Sequence, residues 1–295
     1  MRISLPCFMT TALVAVCLSS AASPWDSVIG MAQAATPSTA TAQPAPVLSY
    51  ADLADHVLGA SLIIKTQPQK MKLLRPESPD MAQTAPKPGF ARMLVTAKVL
   101  TLIRGEGGVA PVISYLVDLP LDANGRPAKM AKQPTILFAK GSSKPEYVQL
   151  VSRNAQMAWN PELESRTRAI LAEVLKADAP PRILGIAESF HTKGAVEGEG
   201  ESQIFLKSET GVPVALTVKR RPGAAPEWDV SLGEIVGDAP VHPAVNGLLW
   251  YRLACALPSA LPDQSLRTAD ARDAETVQND YRFILEALGM CARTL

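Results

Sequence analysis

Residues 90–104, FARMLVTAKVLTLIR, decide the fold. Met93, Val95, Ala97 and Val99 alternate with Arg92, Thr96 and Lys98, a period of two that suits a strand with one buried face. Gly105-Glu106-Gly107-Gly108 follows as a turn, and Val109 to Val117 returns as a partner strand. Upstream, Ser61 to Thr66 reads as another strand, which Pro68 either breaks or marks as an edge. Before it, Ser49 with Asp52 three residues on predicts a capped helix from Tyr50 to Leu58, stopped by Gly59. Downstream, a polar loop around Asp122 to Gly125 precedes strands at Thr135 to Ala139 and Tyr147 to Val151. The first half is therefore a small barrel or strongly curved sheet with one leading helix.

The second half begins after a clear helix. Asn160 caps it and Pro161 takes its first position. Glu162 with Arg166 and Glu164 with Arg168 are spaced for i,i+4 pairs, and Leu163, Ile170, Leu171, Val174 and Leu175 form its apolar stripe. Pro180-Pro181 ends this connector. Strands at Ile183 to Phe190, Ser202 to Leu206, Val212 to Lys219 and Trp228 to Val236 are separated by glycine turns, which predicts an antiparallel meander. Two helices complete it. The first, Ala244 to Leu257, is apolar nearly all round; the second ends at Leu288, with Val277, Tyr281, Ile284, Leu285 and Leu288 on one stripe and Gly289 as stop. The fold class is thus α+β.

The beginning reads as an export signal over 1–34: Arg2, an apolar run from Leu5 to Leu18, and small-residue cleavage sites at Ala32-Gln33-Ala34 or, earlier, Ser20-Ala21-Ala22. Residues 35–47 are an uncharged Ala/Thr/Pro tether. The remaining divisions are a β-rich domain with its leading helix (48–158), the connector helix (159–181), and the meander with its terminal helices (182–295). No later segment is long and apolar enough to span a membrane. These features place the mature protein in the periplasm or outside the cell.

With 47% hydrophobic residues the chain is too apolar to be wholly disordered. A net charge of +1 gives no basic excess for nucleic acid. That near-neutrality conceals a division: residues 48–158 hold 14 bases and 8 acids, residues 159–295 hold 14 and 19. Lys219-Arg220-Arg221 and a looser zone of Lys129, Lys132, Lys140 and Lys144 could meet an anionic envelope polymer.

Beyond the leader only Cys255 and Cys291 remain, an even pair expected to close in an oxidising compartment. No G-x-S-x-G, S-x-x-K, H-E-x-x-H or Walker-type loop occurs. His56 stands four residues from Asp52, a spacing read as a solvated helix face; His242 lies between prolines. Glu197, Glu199 and Glu201 crowd a glycine turn, and pairing of His191 with Ser202 would bring His191 near Glu201. These four residues are the candidate metal ligands, for calcium or zinc. The sequence predicts no other cofactor. Leu249 and Trp250 on the apolar helix are the candidate interface residues.

Residues 90–105, 198–206 (GEGESQIFL) and 248–262 (LLWYRLACALPSALP) resemble a group of exported alphaproteobacterial proteins, a likeness that implies export and carries no activity. The first half also resembles small five-stranded OB-like barrels, although here the helix precedes the strands. The expected function is binding or assembly in the cell envelope, without catalysis, with an envelope protein or anionic polymer as partner. A second reading is a metal- or carboxylate-dependent hydrolase around His191 and Glu197 to Glu201. A third is a peptidase inhibitor using the proline-rich loop 75–89.

Overall fold

A computed structural model describes residues 48–75, 85–127, 132–233, 241–267 and 270–295. The leader, the tether, Lys129 and most of loop 75–89, on which the inhibitor reading rests, lie outside the described residues.

The first helix, α1 (Tyr50–Gly59), is capped by Ser49, whose Oγ accepts the Asp52 N–H at 3.0 Å. Six strands follow: β1 (Leu62–Leu73), β2 (Phe90–Arg104), β3 (Val112–Pro120), β4 (Thr135–Gly141), β5 (Val148–Leu150) and β6 (Gln156–Ala158). They hydrogen-bond in the order β3-β2-β1-β4-β5, with the unforeseen β6 also on β4. All pairs are antiparallel, and one parallel bridge, Ser114 with Tyr147, draws the two ends of the sheet together. The result is a nearly closed, OB-like barrel. Pro68 does not end β1, which continues to Leu73. It sits beyond Thr66, the last β1 residue paired with β4, where one side of the strand is an edge and a missing N–H leaves no ladder broken.

Alternation explains how β1 and β4 are apolar on both faces. Ile64, Leu137 and Ala139 turn into the barrel with Val95, Ile113 and Tyr115. Their neighbours Ile63, Ile136 and Phe138 turn outward onto Leu53 and Val57 of α1 and onto Leu163 and Ile170 of α2 (Pro161–Val174). Asn160 caps α2 through the Leu163 N–H at 2.7 Å. Arg168 pairs with Glu164 at 2.8 Å, but Arg166 donates to the Leu48 carbonyl and is not bonded to Glu162. Leu175 is exposed, and Thr167 occupies the buried stripe by bonding back to the Leu163 carbonyl.

The second sheet is the expected meander, in the order β10-β9-β8-β7: β7 (Ile183–Lys193), β8 (Gly200–Ser208), β9 (Val214–Arg220) and β10 (Glu227–Leu232). Two helices pack on it, α3 (Leu248–Ala254) and α4 (Ala271–Leu288). α3 is shorter than its apolar pattern suggests. Asn246 adopts a left-handed φ of 61° and Gly247 becomes the N-cap, so the helix starts only at Leu248. Among the described residues no helix is long and apolar enough to cross a membrane.

Cys255 and Cys291 are bonded, their sulfurs 2.03 Å apart, tying the end of α3 to the residues after α4. That segment then folds back on α1. Thr294 donates its N–H to Asp52 Oδ2 at 2.6 Å and its hydroxyl to the same oxygen at 2.9 Å, while Arg293 pairs with Asp55. Burial raises the Asp52 pKa, but the donors from Thr294 and Ser49 outweigh it and hold the carboxyl below its ordinary value.

Candidate functional site

His191 and Ser202 are cross-strand partners in the β7–β8 ladder, as the sequence suggests. Their side chains join a longer polar chain. The Ser202 hydroxyl donates to Asp280 Oδ2 of α4 at 2.5 Å, and Arg220 of β9 donates from Nε to Asp280 Oδ1 at 2.7 Å. A carboxylate only accepts, so Ser202 Oγ must accept from His191 Nδ1–H at 3.0 Å. Neutral His191 therefore keeps its lone pair on Nε2, an assignment made from the hydrogen-bond network. Gly200 makes room for the ring, since a Cβ there would stand 2.6 Å from His191 Cε1. A cleft of about 440 Å³ lies alongside, bounded by His191, Arg220, Arg272 and the 194–200 turn.

The order of this chain determines its chemistry. Nucleophilic catalysis places imidazole between hydroxyl and carboxylate, so that the ring removes the hydroxyl proton. Here the hydroxyl is in the middle, its proton is committed to Asp280, and Ser202 and Asp280 are both fully buried. The arrangement clamps β7, β8 and β9 to α4. Sequence reasoning did not single out Asp280, yet one signal exists: it lies three residues after Val277 and one before Tyr281, on the buried stripe of α4.

The proposed metal ligands do not converge. Glu197 and Glu199 are exposed on the turn. Glu201 pairs with Thr192, one position out of step with His191, and accepts from Gln203 Nε2 at 2.6 Å. Among the described residues no group of three or more His, Cys, Asp or Glu side chains is placed to hold a metal ion. Trp250 is a core residue, 5% exposed, with Nε1–H donating to the Leu288 carbonyl at 2.7 Å, as an all-round apolar helix suggests, and Leu249 beside it is half-buried. His56 is also corrected. It is buried, its Nδ1–H donates to the Asp52 carbonyl at 2.6 Å, and its Nε2 meets Ser152 Oγ at 3.0 Å. Of the basic strand end, Lys219 pairs with Asp229 and Arg220 with Asp280. His242 is exposed, edge-on to Trp228.

The second candidate is the seam of the barrel. Leu121 N–H donates to Gly89 O at 2.8 Å and Val99 N–H to Pro111 O at 2.9 Å, which fixes the phase of the β2–β3 ladder. Odd-numbered β3 residues then face β2, and the N–H and C=O of Leu116 and Asp118 point away from it. The same argument, from Val151 N–H to Phe138 O, turns the backbone groups of Val148 and Leu150 away from β4. These two edges meet at the parallel bridge between Ser114 and Tyr147, where Ser114 N–H donates to Glu146 O at 2.7 Å, and no further bridge joins them among the described residues.

A cavity of about 570 Å³ occupies the gap. It shares Tyr147 and Val148 with a cavity of about 790 Å³ at one end, and Asp118 and Arg153 with one of about 710 Å³ at the other. The three form a furrow. Its outer wall carries Leu94 opposite Leu116 and Arg92 opposite Asp118. Arg92 grips Asp118 through two bonds, 2.7 and 2.9 Å, and this contact holds the Asp118 carboxyl below its ordinary value. Arg153 is exposed beside it, with no ion pair among the described residues.

No protein-family model matches the chain, and no curated protein matches it.

Proposed function

We propose that this protein acts by binding, without catalysis, in the periplasm or outside the cell, and that the furrow along the barrel seam is its binding site. The observation that carries the reading is the surface cavity of about 570 Å³ along the β3–β5 seam, with a further cavity adjoining it at each end. Leu116, 46% exposed, places an apolar side chain on the wall of this cavity, where a partner can cover it. The bonded Cys255–Cys291 pair and the apolar run from Leu5 to Leu18 support an exported setting.

The test is site-specific photo-crosslinking in an envelope extract. A photoreactive residue at position 116 is expected to capture a discrete partner that the same residue at position 203, on the second sheet, does not. Equal capture at both positions removes the seam as the site. Turnover in a panel of hydrolase substrates that His191→Ala abolishes would overturn the non-catalytic reading.

A further inference from the structure

We propose that the largest of the three cavities, about 790 Å³, takes a single-chain fatty carboxylate as a free monomer, with its head on Arg104 and its chain running toward the seam. The inference rests on the binding reading above and narrows it to one class of ligand. Three observations carry it.

The first is the lining. Small-molecule sites are mostly apolar concavities with a few placed polar groups. The buried lining of this cavity comes from both apolar clusters of the first half, Leu62 and Val148 from the barrel interior and Leu171 from the layer under α2. Ile103 and Val109 are half-buried beside them. The second is exposure. Leu175, 72% exposed, and Tyr147, 45% exposed, line the same cavity, so one apolar chain seated there removes both from water. Tyr147 and Val148 also line the adjoining cavity of about 570 Å³, whose wall carries Leu94, Leu116 and Leu150. A chain that outgrows the first cavity therefore continues along apolar surface.

The third is charge, and it comes from residues that line the cavity. Arg104 and Arg168 both do. Arg168 is neutralised by Glu164, which accepts from its Nε at 3.0 Å and its Nη2 at 2.8 Å. Arg104 is half-buried and donates from Nη1 to the Val57 carbonyl at 3.0 Å, which leaves the rest of its fork without an acceptor among the described residues. Glu106, the one acid in the lining, is exposed and forms no ion pair among the described residues. One uncompensated guanidinium in an apolar lining matches one carboxylate, which its planar fork binds through paired N–H groups. A sugar, with a hydroxyl on nearly every carbon, would leave most of them against leucine and valine side chains.

The probes are decanoate, dodecanoate and tetradecanoate, each below its micelle concentration, titrated by calorimetry and thermal shift into the full-length, disulfide-bonded protein. Each step adds a pair of methylene groups and is expected to tighten binding about tenfold while the chain stays in the cavity. Dodecan-1-ol, which lacks the charge, is expected to bind about tenfold more weakly than dodecanoate. Arg104→Gln is expected to erase that difference, and Arg104→Lys to restore most of it. Leu175→Glu changes a mostly exposed position and is expected to weaken dodecanoate about tenfold.

Absence of binding by all three acids at about 0.1 mM overturns the proposal. The binding reading then still stands or falls by the crosslinking at position 116. An affinity indifferent to chain length makes the contact a surface ion pair, and equal affinity for dodecan-1-ol makes the occupant a neutral chain; either result overturns the proposal. So does an affinity that both Arg104→Gln and Leu175→Glu leave unchanged, because the acid is then bound elsewhere. Co-sedimentation with phosphatidylglycerol vesicles without monomer binding would make the site a membrane contact and also overturns it.

Discussion

Replacing Arg220 by methionine should destabilise the protein more than replacing its partner, Asp280, by asparagine. The two charges are not equally placed. The Asp280 side chain has no exposed surface, while 35% of the Arg220 side chain reaches solvent. Without Arg220, the Asp280 carboxylate stays in the interior with only the Ser202 hydroxyl on it, and an uncompensated buried charge costs about 3–5 kcal/mol. Asp280→Asn is milder. Asparagine still accepts from Ser202, and the guanidinium can turn outward to water, so the loss is that of charge-assisted hydrogen bonds, about 1–3 kcal/mol. Removing both charges, as Arg220→Met/Asp280→Leu, should cost less than Arg220→Met alone, because no ion is left buried. Urea unfolding followed by tryptophan fluorescence measures all three, since Trp250 reports from the same core. If Asp280→Asn costs as much as Arg220→Met, or the double variant is the least stable, the assignment of the clamp is wrong.

Reduction of Cys255–Cys291, which are 36 residues apart, frees a loop whose closure the chain-entropy model values at about 4 kcal/mol, so the urea midpoint should fall on adding reductant while a Cys255→Ser/Cys291→Ser variant is unaffected by it. Gly200→Ala should displace the His191 ring, which a Cβ would approach at 2.6 Å, costing about 1–3 kcal/mol and shifting the His191 ring signals in NMR. The Arg92 contact lowers the Asp118 pKa below its ordinary 3.8, so the stability it contributes is present above that value and is lost as pH falls through the lowered one. Unfolding free energies measured between about pH 5 and 2 should therefore fall less steeply in Asp118→Asn than in the parent.

How much of this was legible depended on whether the signal lay in side-chain pattern or in backbone geometry. The range of β2 matches its alternating stretch residue for residue, because one face meets the barrel core and the other does not. The His191–Ser202 register was readable from the symmetric hairpin around the 194–199 turn. His56 was misread because an i,i+4 partner carboxylate suggests a surface pair. In the structure Asp52 turns its carboxylate to Thr294, 242 positions away, and gives His56 only its backbone carbonyl. The length of α3 was overestimated because hydrophobicity continues where Asn246 reverses the backbone. The seam had no pattern to read: it lies where β3 meets β5, two strands about 30 residues apart whose approach leaves no periodicity in either. Asp280 was hidden for the opposite reason, a polar residue on an apolar stripe whose partners come from two separate strands.

The contact between Thr294 and Asp52 also sets an order in time. α1 is synthesised before either sheet, yet three of the donors that complete it, two from Thr294 and one from Arg293, are made roughly 240 residues later. Until then the helix must sit on the barrel with its carboxylates facing water. Contacts of such wide sequence separation are slow to form, so the last folding event should be the return of residues 290–295 onto α1, after both sheets are in place. A chain interrupted before that return would look nearly native in its strands and still lack the latch that holds α1 to residues 290–295.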